Sequence, residues 1–148
     1  MMLLVHVVCS LLSYVAFLVA FVSGMLFLVQ ERQLKHKTLG LLFHRLPSLD
    51  ALDRLNFWAI GIGFGLLSVG VVLGLLGSRM LLGRWWIGDP KEVLTMALWL
   101  SYLVLWLVRL RSTLRGRRVA LWSIVGFSFV LFVLVGAHWL LPSWHPSL

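Results

Sequence analysis

The chain has 148 residues, 61% of them hydrophobic and only 12% charged, and its mean hydropathy is +0.99. Soluble domains carry about a quarter charged residues. A chain of this size has no water-soluble core able to absorb so much apolar surface, so the composition points to a bilayer as solvent. The net charge of +8 is not the footprint of a nucleic-acid binder, because the 13 Lys and Arg residues fall in short clusters between apolar runs.

A membrane-spanning helix needs about 20 predominantly apolar residues. The first such run, Leu3 to Val29, contains the single cysteine, Cys9, so no disulfide can form within the chain, and no CxxC or metal-ligand spacing exists. It is too long for a secretory signal and lacks a cleavage site. The connection "QERQLKHKTLGLLFHRLPSLDALDR" follows, in which Pro47 ends what came before, Ser48 can cap a helix and Asp50 suits its first turn. Leu49, Leu52 and Leu55 share one face, which predicts a segment riding the membrane surface before the second span, Leu55 to Gly77. That span carries two small-xxx-small pairs, Gly61 with Gly65 and Gly70 with Gly74, and these read as helix-packing contacts away from any ligand face. The third run, Val93 to Val108, is the shortest and gains a turn if its helix starts within Asp89 to Glu92. After "RLRSTLRGRR" comes the fourth, Val119 to Leu141. No charged residue falls at depth in any span, which leaves proton relays and ion pathways without support.

The fold class predicted is therefore all-α: a polytopic membrane protein of four transmembrane helices, one domain over residues 1–148, with a Trp-rich loop between the second and third helices. All the basic residues lie in the two longer connections except Arg79, Arg84 and Lys91. By the positive-inside rule those connections face the cytoplasm, while both termini and the "GRWWIGDPKE" loop face outward. An outward N-terminus beginning "MMLLVHVV" suits the C-terminal part of a longer membrane protein.

The sequence holds no Ser-His-Asp set in a sensible order and no Gly-rich phosphate loop. Lys91 and Glu92, beside Asp89, read as a rim salt bridge at a helix start in preference to a hydrolytic dyad. Histidine and tryptophan remain. His36 and His44 lie in the first basic connection and read as solvated loop residues. His6, His138 and His145 share the outer level with Trp85, Trp86, Trp139 and Trp144. Singly, each is explained as an interfacial residue or an aromatic-belt anchor. Together they form one outward patch with imidazoles on two helices and indoles between them. Such a patch also suits a flat, apolar, metal-centred ligand such as haem, with Arg79, Arg84 and Lys91 available to its carboxylates.

Four blocks carry a family resemblance: "HVVCSLLSYVAFLVAFVSGMLFLVQERQLKHK", "LPSLDALDRLNFWAIGIGFGLLSVGVVLG", "WWIGDPKEVLTMALWLSYLVLWLVRLR" and "RGRRVALWSIVGFSFVLFVLVGAHWLLPSWH". In order and spacing they resemble the C-terminal part of the cytochrome c assembly proteins, the haem-handling membrane family of the CcsA, CcmC and HemX types. The resemblance covers essentially the whole chain. It implies an outward Trp-rich loop, the WWD domain, that contacts haem and is flanked by two outward axial histidines. By position His6 matches the histidine before the loop and His145 the one after it, with His138 as the alternative ligand. Trp85, Trp86, Asp89, Pro90, Lys91 and Glu92 match the end of the loop.

The chain departs from the family pattern at Gly88, where a further Trp usually stands, and in a loop shortened at Arg79 to Gly83. Leu107 occupies the position of a histidine found in the span after the loop, and the upstream spans of full-length members have no counterpart. These departures resemble the smaller HemX-like branch, or a split or truncated protein working with a partner. The resemblance thus implies c-type cytochrome biogenesis at the inner membrane. Non-covalent b-type haem would be held by His6 and His145, positioned by Trp85 and Trp86, and presented at the outer face to apocytochrome c. The chain would act as a component of a haem–apocytochrome c ligation system together with another assembly subunit. The alternative is a HemX-like regulatory or structural subunit that carries no haem. A small transporter is disfavoured by the lack of intramembrane charge.

Overall fold

The computed structural model describes residues 1–37, 40, 44–86, 88–111 and 116–140, the last four of them (137–140) by backbone alone. Among the described residues four long helices make up the fold: α1 (Met2–Lys35), α2 (Leu49–Leu82), α3 (Pro90–Arg111) and α4 (Arg117–Leu140). All four are long and apolar enough to cross a membrane, and no strand occurs among the described residues. The chain is a multi-pass membrane protein. With 34 residues each, α1 and α2 are about 50 Å long at 1.5 Å per residue, well beyond the ~30 Å hydrocarbon layer, so both project past it.

The helix ends are set by local chemistry. Ser48 caps α2, its hydroxyl accepting from Ala51 N at 3.2 Å, with Asp50 in the first turn. The segment expected to ride the membrane from Leu49 to Leu55 forms the first turns of α2 itself, and Leu52 is buried in the bundle. Gly83 closes α2 with φ 67°, a left-handed conformation costly for a side chain with a Cβ. At the start of α3, Asp89 Oδ1 accepts from Lys91 N at 3.3 Å, and Glu92 Oε2 accepts from Gly88 N at 3.2 Å. The expected rim salt bridge of Lys91 and Glu92 is thus replaced by a capping arrangement in which both acids serve backbone donors. Pro90 at the first helical position has no N–H to satisfy.

Helix α1 packs along α2 and against α4, and α3 lies on α2 and α4. The outer surface is apolar, as a lipid solvent demands; Trp122 and Val104 are about three-fifths exposed. Phe17 stacks on Tyr102 at 3.8 Å, with Ile60, Leu67, Leu98 and Val130 filling the core beside them. Gly63 makes room for Phe17, whose Cε1 would lie 2.6 Å from a Cβ there.

At the end of the bundle opposite Trp86, the core is polar. Arg109 is buried, its Nη2 3.1 Å from Asp53 Oδ1 and donating to Asp53 O at 2.8 Å. Asn56 Nδ2 donates to Ala20 O at 2.8 Å and to Ser123 Oγ at 3.0 Å, while its Oδ1 accepts from Arg109 Nη1 at 3.3 Å. Asp53 Oδ1 also accepts from Gly116 N at 3.2 Å. One network therefore joins all four helices. Arg109 was expected in the basic connection after a third span ending at Val108. The helix instead continues through Arg109, which turns inward because Asp53 supplies its counter-charge.

Candidate functional site

His6 sits in the second turn of α1, against the glycine-bearing face of α2. Its Nδ1 lies 2.6 Å from Gly70 O. A carbonyl can only accept, so Nδ1 carries a proton, and in the neutral ring it is Nε2 that has the lone pair. Nε2 has no hydrogen-bond partner among the described residues. Ser10 Oγ donates to His6 O at 2.8 Å, fixing the backbone of the same turn. A Cβ on Gly74 would lie 3.0 Å from His6 Cε1, and one on Gly70 would lie 3.0 Å from Ser10 Oγ. Gly70 and Gly74, expected to serve helix packing, do face α1 closely, and Gly74 is also the surface against which the His6 imidazole rests. Gly65, expected to pair with Gly61, meets nothing, whereas Gly61 lies against Trp106.

The imidazole lines an open pocket of about 240 Å³ at the junction of α1, α2 and α3. Trp86 and Lys91 form part of its wall, so three of the sequence-predicted site residues come together here. Val71, Gly74 and Leu75 supply the α2 wall, and Glu92, Thr95 and Met96 the α3 wall. Sequence reasoning missed most of these, yet each set follows the i, i+3, i+4 spacing of one helical face.

The other candidates separate. Trp85 does not line this pocket and lies under Arg79, whose guanidinium is 4.2 Å from the ring centroid. Arg84 and Asp89 are exposed and do not line the pocket, and Asp89 is occupied in capping α3. His145 lies outside the described residues; of His138 only the backbone, within α4, is described. His36 ends α1 at the far end of the bundle from His6. No cluster of three metal-ligating side chains exists among the described residues.

The donor set suits a flat ligand with a metal centre. It offers one imidazole nitrogen, the apolar side chains of Val71, Leu75 and Met96, and an indole. It also offers a Lys that can meet an anionic edge beside Glu92, whose carboxylate is held toward Gly88 N. Gly74 leaves open the space that the imidazole needs, which a side chain would fill.

The chain is similar to the cytochrome c biogenesis protein CcsA of Guillardia theta, 28% identical over 93% of this chain and 51% of that protein. It is similar to the protein HemX of Brevibacillus brevis, 32% identical over 91% of this chain and 50% of that protein. CcsA of Prochlorococcus marinus is 29% identical over 93% of this chain and 50% of its own length. The chain thus spans about half the length of these curated relatives. No solved structure matches it. The family model described as cytochrome C assembly protein matches residues 1–145, and the chain belongs to that family.

Proposed function

We propose that this chain serves c-type cytochrome biogenesis by holding haem at the outer face of the cytoplasmic membrane for transfer to apocytochrome c. The observation that carries the reading is the His6 imidazole, with a proton on Nδ1 and tied to Gly70 O, lining a pocket with Trp86, Lys91 and Glu92 and the apolar side chains of Val71, Leu75 and Met96. His6 Nε2 would be one axial ligand and His145 the other, with His138 as the alternative. The haem would be non-covalent and of b type. A pocket of about 240 Å³ seats only one edge of a porphyrin. The rest of the ring would stay open, as presentation to a partner requires, and its vinyl groups are what an apocytochrome thiol would meet. Trp86 would flank the ring, Lys91 would face a propionate, and Trp85 with Arg79 would form the rim. Names of relatives support the process: two of the three described above are cytochrome c biogenesis proteins. The bias of basic residues toward the Arg109 end supports placing the His6 end outside.

The similarity to HemX favours one further reading, a regulatory or structural subunit with the same bundle and no haem. The two readings separate on purified protein. Haem presentation requires near-stoichiometric haem after incubation with hemin and removal of excess. Absence of bound haem from well-folded protein would leave only the regulatory reading.

A further inference from the structure

We infer that Gly70 and Gly74 of α2 are positioning residues that fix the tautomer and direction of the His6 ring, so that Nε2 is the ligating atom. The inference deepens the haem-site reading but rests on geometry that is present without haem.

A histidine side chain on a helix end is ordinarily free to exchange its proton between two nitrogens and to turn about two bonds. Metal ligation then competes with every other arrangement of the ring. Here three features remove that freedom. The Gly70 carbonyl accepts a hydrogen bond from Nδ1–H at 2.6 Å, which selects against the neutral tautomer protonated on Nε2. The ring stands directly over Gly74, where a Cβ would be 3.0 Å from Cε1 and 3.3 Å from Nδ1, so a side chain there would push the imidazole back by a few tenths of an ångström from the α2 backbone. The turn beneath it is held from α1 by the Ser10 hydroxyl on His6 O, and Ser13 Oγ on Ser10 O continues the same ladder.

A backbone carbonyl has two lone pairs, so Gly70 O can receive the imidazole N–H while still serving its own helix. Hydrogen bonding of the non-ligating nitrogen to a carbonyl also raises the basicity of the ligating one. The acceptor here is backbone, so no side-chain substitution can delete it. Only the clearance at Gly74 is open to mutation. Gly65, on the same helix, has open space around it and is the matched control.

The test uses the full chain in detergent or nanodiscs, labelled with ¹⁵N-histidine, with the His6 signals assigned by their loss in His6→Asn. Without haem, His6 should give a pyrrole-type Nδ1 and a pyridine-type Nε2 resonance. Gly74→Ala, and more strongly Gly74→Val, should replace this with the mixed tautomers of an unconstrained imidazole, whereas Gly65→Ala should not. Titrated with hemin, Gly74→Ala should bind about 10- to 100-fold more weakly, the usual cost of losing an outer-shell partner. It should also show a reduced low-spin signal, restored in part by added imidazole. A His6 protonated on Nε2 in the wild-type protein would overturn the inference. So would a tautomer unchanged by both Gly74 substitutions in folded protein. A wild-type ring protonated on Nδ1 and released by Gly74→Ala, in protein that takes up no hemin, would sustain the positioning role while refuting the haem reading.

Discussion

Adjacent residues in the loop after α2 do different work, and the difference was only partly legible in the sequence. Trp85 and Trp86 read as one platform, yet Gly83 ends α2 in a left-handed turn, after which successive side chains no longer share a face. Trp86 enters the pocket wall and Trp85 goes under Arg79. His6 and Lys91 were legible because a polar residue stands out in an apolar run. Met96, Thr95 and Val71 were not, because apolar or small neutral residues face both lipid and protein in this bundle, so hydropathy does not say which face turns inward. Two expectations belong at this scale. Lys91→Gln should weaken hemin binding two- to fivefold, the modest effect of an exposed ion pair, and should leave the low-spin spectrum unchanged. Hemin dimethyl ester, which lacks free carboxylates, should bind wild type and Lys91→Gln alike, and equilibrium titration checks both. Asp89→Ala should cost about 1 kcal/mol through loss of the α3 cap, measured as a lower Tm in detergent with haem content kept.

At the scale of elements, the four spans and the cap at Ser48 follow from run length and residue type. Even so, α1 runs on from the expected Val29 to Lys35, α2 begins at Leu49 where Leu55 was expected, and Asp89 caps α3 where a rim salt bridge was expected. The interior of the bundle was harder to read. Arg109 looks like one more basic residue of "RLRSTLRGRR", and nothing in linear order pairs it with Asp53, 56 positions away on α2. Removing one member of a buried pair leaves the other charge uncompensated, at a cost of roughly 3–5 kcal/mol. Arg109→Leu should therefore sharply lower stability, and Asp53→Asn combined with Arg109→Leu should recover part of the loss. Thermal or denaturant unfolding in detergent, compared across the singles and the double, tests this. A single substitution with no effect would mean that the network does not hold α2 and α3 together. Gly61→Ala should likewise destabilise by meeting the Trp106 ring at 2.5 Å, whereas Gly65→Ala, with open space around it, should be near neutral.

For the whole molecule, the two ends of the bundle carry different chemistry. The His6 end gathers an imidazole, an indole and a lysine around an open pocket, and the Arg109 end holds the buried ion pair and most of the basic residues. In the orientation we propose from the charge bias, the His6 end faces outward. In a Cys9→Ala background, an impermeant maleimide added from outside should label Arg84→Cys and spare Arg54→Cys, both at exposed positions; the reverse pattern would invert the topology. The measurement that bears most directly on the haem reading is the absorption spectrum of hemin-loaded protein, compared among wild type, His6→Ala and His36→Ala. Wild type and His36→Ala should show six-coordinate, low-spin haem. His6→Ala should lose most of its haem and the low-spin signal, and added imidazole should restore part of that signal by supplying the missing nitrogen. Equal haem content and identical spectra in wild type and His6→Ala would contradict haem ligation at this site.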